Sequence, residues 1–269
     1  METSVFDGLD DELSLTPHEA LGELLGSAKR GFVPIRNSFV QHPRGSSNRG
    51  SMVAELVTHR YERPFDAVAT LHALMPVLVD DPLPLGSWAN ILSTRTPCGV
   101  TTASKTFKVL EEMGLLTRSR AGGRTVLTPL CEDGSRRPWF KAGSRGSEQY
   151  FVVPHEYWTD GYIDTLRLPG KAMLFIMLKE TQVDPVFTMA IERAPEWYGI
   201  SERTAERGYN ELERANLLNV HIQKVASARL PPGVMRKIHH RALRGPFSTK
   251  NREALQAASR TRTRAESED

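Results

Sequence analysis

A sixteen-residue stretch occurs twice in the chain and constrains its fold more than any other feature. Thr102 to Thr117 (TASKTFKVLEEMGLLT) and Thr204 to Asn219 (TAERGYNELERANLLN) align without a gap at an offset of 102 residues. Both copies begin with Thr-Ala, carry an aromatic residue at the sixth position and contain Leu-Leu near the end. A match of this length indicates an internal repeat, so the sequence predicts two similar domains.

Each copy has the spacing of an amphipathic helix that ends in a left-handed cap. Ala103, Phe107 and Leu110 lie at i, i+4 and i+7, which places them on one helical face. Their counterparts in the second copy have the same spacing. Gly114 and Asn216 are expected to end the two helices, because these residue types tolerate the left-handed conformation of a C-terminal cap.

A hairpin is predicted after each helix. In the first copy, Leu115 to Arg120 and Arg124 to Thr128 flank Ala121-Gly122-Gly123, a pattern typical of two strands joined by a tight turn. The corresponding elements of the second copy are Val220 to Val225, a turn at Pro231 to Gly233, and Val234 to Ala242. Basic residues lie in or beside both hairpins, so these hairpins are expected to contact phosphate.

Two further helices are predicted ahead of each repeated helix. They are Phe65 to Asp80 and Gly86 to Ser93 in the first copy, and Pro169 to Thr181 and Ile191 to Tyr198 in the second, with Ser201 as the N-cap of the repeated helix. Three helices followed by a basic hairpin resemble the winged helix-turn-helix superfamily of DNA-binding domains, and the chain also resembles actinobacterial proteins with two such domains. The resemblance implies an α+β, mainly α fold of two winged helix-turn-helix domains in tandem with flexible termini.

Shifts in composition predict the domain boundaries. Residues 1–31 form an acidic segment expected to be disordered, 32–131 the first domain, 132–149 a linker, 150–244 the second domain, and 245–269 a basic tail expected to be disordered. Trp139 and Phe140 are expected to anchor the linker rather than to stack on nucleic acid, since exposed tryptophan is uncommon. The remaining predicted elements are strands at Gly31 to Val40 and Tyr150 to Val153, and helices at Met52 to Arg63 and within His155 to Arg167.

The first 23 residues contain seven Asp or Glu and no Lys or Arg, the opposite of a targeting signal. No apolar run approaches the roughly 18 residues of a membrane span. A cytoplasmic, nucleoid-associated protein with no membrane partner is therefore expected.

The predicted partner is double-stranded DNA, because a helix fits the major groove while basic hairpin residues hold phosphates. Candidate contacts in the first copy are Thr101, Thr102, Ser104, Lys105 and Lys108 on the helix, with Arg118, Arg120 and Arg124 on the hairpin. Candidates in the second copy are Ser201, Arg203, Thr204, Arg207 and Asn210 on the helix, with Lys224 and Arg229 on the hairpin. Glu202 and Glu206 would face phosphate unfavourably, so this helix is expected to dock weakly or to contact a protein.

The motifs of common enzymes are missing from the sequence. Leu168 to Met173 (LPGKAM) lacks the first glycine and the Ser/Thr of a phosphate-binding loop, and neither a nucleophile elbow nor a zinc-protease helix is present. Cys98 and Cys131 are the only cysteines, too few for a disulfide framework or a cysteine-rich zinc site. No enzyme, cofactor, metal or small-molecule substrate is expected, while self-association stays open.

Three functions fit these expectations. The first is a transcription regulator that binds specific duplex DNA. The second is a plasmid or mobile-element replication initiator or partition protein that binds iterated repeats. The third is a scaffold that uses winged helices to hold proteins and has no DNA affinity, because a fold does not by itself establish a site.

Overall fold

The computed structural model describes residues 15–28, 30–46, 49–78, 81–122, 124–140, 142–143, 149–226, 228–229, 231 and 233–268, with the backbone alone described at 76 and 263–268. Within these residues the fold is α+β. The first half contains α1 (Pro17–Gly26), β1 (Phe32–Arg36), α2 (Asn37–Val40), α3 (Met52–Thr58), α4 (Glu62–Leu78), α5 (Leu85–Ile91), α6 (Val100–Glu112), β2 (Leu116–Ala121) and β3 (Arg124–Pro129). The second half contains β4 (Tyr150–Pro154), α7 (Glu156–Thr159), α8 (Tyr162–Thr165), α9 (Leu168–Glu180), β5 (Phe187–Thr188), a 3-10 turn (Ile191–Arg193), α10 (Ala194–Tyr198), α11 (Glu202–Arg214), β6 (Leu218–Ala226), β7 (Met235–Leu243), a second 3-10 turn (Gly245–Phe247) and α12 (Thr249–Glu268).

The first unit consists of α4, α5, α6 and the β2–β3 hairpin. Helix α6 buries the predicted apolar face against α4 and α5, and Gly114 ends it with a φ of +75°. The backbone N–H of Leu115 then donates to the carbonyl of Leu110 at 2.9 Å, closing the cap. Strands β2 and β3 pair antiparallel from Leu116 with Pro129 to Ala121 with Arg124, so the predicted hairpin is confirmed.

The second unit consists of α9, β5, α10, α11 and the β6–β7 hairpin, and its local structure follows the first. Each boundary of α11 lies 102 residues after the corresponding boundary of α6. Asn216 takes a φ of +58°, and the N–H of Leu217 donates to the carbonyl of Leu212 at 2.9 Å, as at the first cap. The sheet order is β5-β7-β6, in which the short strand β5 was not predicted.

The two units share one hydrophobic core. Strand β1, which precedes the first unit, pairs antiparallel with β4, which precedes the second. Phe65 of α4 lies edge-on to Phe175 of α9 with ring centroids 4.9 Å apart. The indole N–H of Trp158 donates to the hydroxyl of Thr70 at 3.0 Å, also across the two halves. The fold is therefore held together between the units as well as within them.

A buried ion pair also joins the first helices of the two units. The ammonium of Lys171 on α9 contacts both carboxylate oxygens of Asp66 on α4, at 2.6 and 2.7 Å, and both side chains are almost fully buried. Glu62 lies 3.5 Å from the same ammonium. Burial raises the pKa of Asp66 to about 7, although the neighbouring Lys171 acts in the opposite direction. Removing one partner of such a pair leaves a buried charge uncompensated.

The expected disorder of residues 1–31 is wrong for the described part of that segment. Helix α1 begins with a capping box in which Thr16 and Glu19 bond each other's backbone N–H. Leu21 and Leu25 are buried where the helix packs against α4, α5 and α7. The acidic composition led to the expectation of disorder because the apolar face of this helix consists of few residues. Residues 1–14 lie outside the described part of the chain.

The expected disorder of the basic tail is also wrong. Residues Thr249–Glu268 form α12, which is fastened to α9 at its first turn. Phe247 is fully buried, and the guanidinium of buried Arg252 donates to the carbonyls of Leu178 and Thr181 at 3.0 and 2.6 Å. These few contacts attach a segment whose overall composition is polar.

The predicted linker 132–149 lacks helix and strand in its described residues, but its first part is fastened to the core. Glu132 is fully buried and forms an ion pair with Arg36 of β1. The Arg36 guanidinium also lies 4.2 Å from the ring centroid of Phe140, and Trp139 packs beside His72 with ring centroids 6.3 Å apart. Both aromatic residues therefore anchor the loop against β1 and α4, and residues 141 and 144–148 lie outside the described part.

Local boundaries differ from the predictions most in the stretch before and at the start of the first unit. The predicted strand Gly31 to Val40 ends at Arg36, after which the chain makes the helical turn α2. The predicted helix Met52 to Arg63 ends at Thr58, and α4 begins at Glu62 and runs through Pro64. Proline does not break α4 because the first turn of a helix needs no N–H from that position.

Candidate nucleic-acid interface

The polar face of α6 lies opposite its buried stripe. Ala103, Phe107 and Leu110 are completely buried, while Thr101, Lys105 and Lys108 are exposed and Thr102 and Ser104 are half-buried. Lys108 lies 3.8 Å from Glu112, one turn later, in an exposed pair that is worth little in water. The N-terminal half of this face therefore presents hydroxyls and cations, and its carboxylates begin only at Glu111.

The first hairpin carries less available positive charge than the sequence suggests. The guanidinium of Arg118 donates from Nε and Nη2 to one carboxylate oxygen of Glu111, at 2.8 and 2.6 Å. This contact holds the pKa of Glu111 below its usual range. Arg124, at the other side of the hairpin, lies 3.6 Å from Asp81. Arg120 is exposed, so two of the three predicted phosphate contacts face a carboxylate.

Two candidate residues of the second helix act as its cap. The hydroxyl of Ser201 accepts from the backbone N–H of Thr204 at 3.1 Å and lies 2.9 Å from the Thr204 hydroxyl. This confirms Ser201 as the N-cap of α11. Arg203, Arg207 and Asn210 are exposed, and they alternate along the helix with the exposed acids Glu202, Glu206 and Glu213. The face of α11 is thus mixed in charge.

The second hairpin is longer than the first and extends beyond its sheet. Strand β5 pairs with β7 at Arg241 and His240, whereas the β6–β7 ladder continues to Ala226 and Met235. We call this two-stranded part, residues 222–226 with 235–239, the arm. Its strands are exposed along most of their length on both sheet faces.

The arm carries positive charge without neighbouring acids in the sequence. Lys224 and Lys237 are directly opposite each other in the ladder and share one face. Such like-charged neighbours repel in an isolated sheet. The chain has no Asp or Glu between Glu213 and Glu253. A polyanion that contacts this face would relieve the repulsion between the two lysines.

No family model, curated protein or solved structure matches this chain. Across the part of the chain that the structure describes, no helix is long and apolar enough to cross a membrane. The same residues contain no group of three or more His, Cys, Asp or Glu side chains placed to hold a metal ion.

Contacts at the base of the arm fix its position relative to α11. The buried guanidinium of Arg241 lies 3.8 Å from the ring centroid of Tyr209 on α11 and donates to the carbonyl of Met189 at 3.3 Å. On the opposite face, the two ring nitrogens of His240 lie 2.9 Å from the Thr188 hydroxyl and 2.9 Å from the side-chain oxygen of Gln223. His240 thus joins the base of the arm to β5 of the second unit.

Two exposed basic residues of the arm, Arg236 and Lys237, were missing from the predicted contacts. The predicted contacts of this hairpin are Lys224 in the arm and Arg229 in the turn beyond it. Both are also exposed, and Arg229 makes a further contact within the chain. The signal for Lys237 is the strand register, because it becomes the partner of Lys224 only once Leu218 is paired with Leu243. Alternation in β7 alone does not fix that register.

Proposed function

We propose that the chain is a sequence-specific double-stranded DNA-binding protein, built from two winged helix-turn-helix domains on a shared core, and that it regulates transcription. The observation that carries the proposal is the duplicated helix and hairpin. In each unit an apolar stripe is buried, while the opposite face and the hairpin present basic side chains to solvent. Two such surfaces on one chain are suited to a long, regularly charged partner.

The first unit supports base reading through α6. The N-terminal half of a docked recognition helix approaches the base edges in the major groove. Lys105 can donate to guanine acceptors there, while Thr101 and Thr102 are short enough for hydroxyl contacts to bases or phosphates. All three lie on the exposed or half-exposed side of α6. The absence of a carboxylate from the first ten residues of this helix also favours an approach to phosphates.

The second unit supports phosphate binding through its arm. Lys224, Arg236 and Lys237 are exposed on a ribbon whose base is fixed by Arg241. Each phosphate that such a cation neutralises releases a condensed counterion, which favours binding and makes it salt-dependent. Because α11 carries both acidic and basic side chains, it contributes less than the arm to the attraction for phosphate.

Selection of bound duplexes from random and genomic DNA tests the proposal. We expect a recovered consensus and an affinity that falls linearly as log K against log salt, with a slope of about −0.9 for each neutralised phosphate. The absence of duplex affinity at about 100 mM salt, together with capture of a protein partner, would instead support a scaffold.

The genomic positions of the recovered sites separate the two DNA-binding roles. Isolated sites that overlap promoters support a transcription regulator, in which a bound protein changes transcript levels. Arrays of iterated repeats beside the protein's own gene support a replication initiator or partition protein. Binding to chromosomal sites would also place the protein on the nucleoid, which fluorescence microscopy of a tagged chain can check.

A further inference from the structure

An open cleft lies between elements from the two halves of the chain. Its volume is about 1000 Å³, at the upper end of the roughly 300–1,000 Å³ of small-molecule sites. Its walls are α2 with the loop that follows it, the C-terminal end of α9, the loop after β3 and the start of β4. Among the described lining residues, none belongs to α6, α11 or either hairpin. We call this space the junction cleft.

Hydrogen bonds between the two halves hold the walls of the junction cleft in place. The Lys179 ammonium at the end of α9 donates to the side-chain oxygen of Gln41 at 2.7 Å. The amide nitrogen of Gln41 donates in turn to the carbonyl of Trp197. Gln182 donates to the side-chain oxygen of Asn37 on α2 at 3.1 Å. The cleft is thus a fixed part of the fold, as small-molecule sites usually are.

Positive charge predominates in the junction cleft. Its cationic lining residues are Arg44, Arg49, Arg137 and Lys179. The one carboxylate among the described lining residues is that of Glu180, which lies 2.5 Å from the Lys179 ammonium. Arg137 pairs with Asp133 at 2.6 Å. These pairs offset the charges of Lys179 and Arg137, so the charge that is open to a ligand belongs to the other two arginines.

Arg44 and Arg49 are placed to bind an anion. Within the described part of the chain, neither guanidinium forms an ion pair. Arg44 is exposed, whereas Arg49 is half-buried. The Nε–H of Arg49 is shielded from solvent, and no described residue offers it an acceptor. A buried donor without an acceptor is unfavourable, and an oxyanion in the cleft would supply that acceptor.

Two aromatic side chains also line the junction cleft. Phe140 and Tyr150 are both half-buried. The Arg36 guanidinium lies 4.2 Å from the ring centroid of Phe140, and the ring of Tyr150 packs so closely on Gly143 that a β-carbon there would overlap it. Both rings are therefore held in place. Fixed aromatic rings near cations are suited to a ligand that joins a planar group to phosphates, because any base can stack on an aromatic ring.

We infer that the junction cleft binds a nucleoside phosphate. The phosphates contact Arg44 and Arg49, because the forked guanidinium matches the geometry of phosphate oxygens. The base stacks on Phe140 or Tyr150 and bonds the side-chain amide of Gln149, which also lines the cleft. A duplex is too wide to enter a cleft of this volume. This site does not depend on the proposed DNA binding, since the two use different residues.

Calorimetric titration of the full chain with each of the four ribonucleoside diphosphates tests the site. Pyrophosphate and the four free nucleosides are the reference ligands. We expect one nucleoside diphosphate or more to bind in a 1:1 ratio, about tenfold more tightly than pyrophosphate, because base stacking adds to the phosphate contacts. Absence of binding by all four diphosphates, or equal affinity for pyrophosphate, overturns the inference.

Variants of the two arginines locate the bound nucleotide. R44Q/R49Q should weaken binding of the nucleoside diphosphate at least about tenfold, because two charged hydrogen-bond donors are lost. Arg44→Glu is at an exposed position, so it should also weaken binding while the melting temperature stays that of the wild type. The matched control R260Q/R262Q removes two exposed arginines of α12 and should bind like the wild type. Wild-type affinity in either cleft variant, or an equal loss in the control, overturns the assignment.

Duplex binding by the same variants separates the junction cleft from the DNA-binding surfaces. R44Q/R49Q and R260Q/R262Q should bind the selected duplex equally well. A duplex that competes with the nucleoside diphosphate and loses affinity in R44Q/R49Q alone would show that the cleft holds phosphates of DNA, which overturns the inference. A wild-type chain that binds a nucleoside diphosphate but no duplex overturns the proposed function and leaves this site standing.

Discussion

The two units are built on the same repeat but present positive charge in different places. In the first unit helix α6 presents the exposed Lys105 and Lys108, while in the short hairpin Arg118 is held by Glu111, Arg124 lies near Asp81 and Arg120 is exposed. In the second unit helix α11 alternates acids with arginines, and the longer hairpin presents Lys224 and Lys237. The buried positions are the same in both units, whereas the exposed positions differ.

This difference shows which positions of the duplicated segment are constrained by burial. The apolar stripe and the Leu-Leu pair are buried in both units, and changing them would open cavities in a shared core. The exposed positions are free of that constraint, so each unit can carry its own contacts. We therefore expect the two units to divide the work, with base reading mainly in α6 and phosphate binding mainly in the arm.

The largest expected effect tests whether the two units unfold together as one cooperative structure. Lys171→Met leaves Asp66 buried without its cation, and we expect a loss of about 3–5 kcal/mol in the free energy of unfolding. Because Lys171 and Asp66 join α9 to α4, denaturation should show one transition. Hydrogen exchange should then accelerate in both hairpins.

The control for this change is Lys250→Met, which removes an exposed lysine of α12 and should alter stability by no more than about 0.5 kcal/mol. The double variant D66L/K171M should regain most of the loss, since it leaves no charge unpaired. Two separate transitions, or faster exchange in one unit alone, would show that the units fold independently.

The second effect compares the two hairpins in DNA binding. K224A/K237A should weaken binding roughly 50- to 100-fold at 0.1 M salt and reduce the salt slope by about 1.8, because two phosphate contacts are lost. R118A/R124A removes the same number of charges from the first hairpin. It should have a smaller effect, because the half-buried Arg118 is already held by Glu111, while the exposed Arg124 lies only loosely beside Asp81. Titrations over a series of salt concentrations measure both slopes, and equal losses in the two variants would contradict the comparison.

The third effect compares the two helix caps. Gly114→Ala forces a β-carbon into a left-handed position and places it 2.9 Å from the carbonyl oxygen of Gly134, so we expect a loss of roughly 2 kcal/mol in unfolding free energy. Asn216→Gly, at the equivalent position, should stay within about 0.5 kcal/mol, since glycine accepts this conformation and the lost bond to Arg244 is exposed. Urea denaturation compares the two, and an unchanged stability in Gly114→Ala would contradict the strain at the first cap.

The smallest effect compares the two helices. Lys105→Ala should reduce discrimination at one base pair about tenfold, within the range of a single base contact. Arg207→Ala, at the position of α11 equivalent to Lys105, should change sequence preference less and lower affinity on all duplexes. Selection from random DNA with each variant reports the consensus. If Lys105→Ala leaves the consensus unchanged, α6 does not read that base pair.

The sequence allowed the repeated helices and their caps to be predicted because their signals are local. The stripe through Phe107, the N-cap Ser201 and the left-handed residues Gly114 and Asn216 depend on neighbours within one or two turns. Their predicted positions are confirmed. The hairpins were predictable for the same reason, since each is formed by adjacent stretches of chain.

The remaining features depend on distant residues and left no local signal. The pairing of β1 with β4 joins Ile35 to Phe151, and nothing near either residue specifies that partner. Disorder was predicted for both termini from polar composition, but a few buried side chains such as Leu25 and Phe247 are enough to attach them. The pairing of Arg118 with Glu111 could have been predicted from the sequence, because the chain reverses direction at Gly114 and brings the first strand back beside the helix.

The central claim is that the two units hold two DNA-binding surfaces at a fixed separation. The most direct test is to change the spacing between the two DNA segments that these surfaces bind. A footprint on the selected duplex should show one segment protected through α6 and a second through α11 and the arm. Insertion of five base pairs between the segments turns the second to the opposite face of the DNA, about half a helical turn away. We predict that this duplex loses one of the two footprints and most of its affinity. Unchanged affinity with both footprints retained would contradict the account.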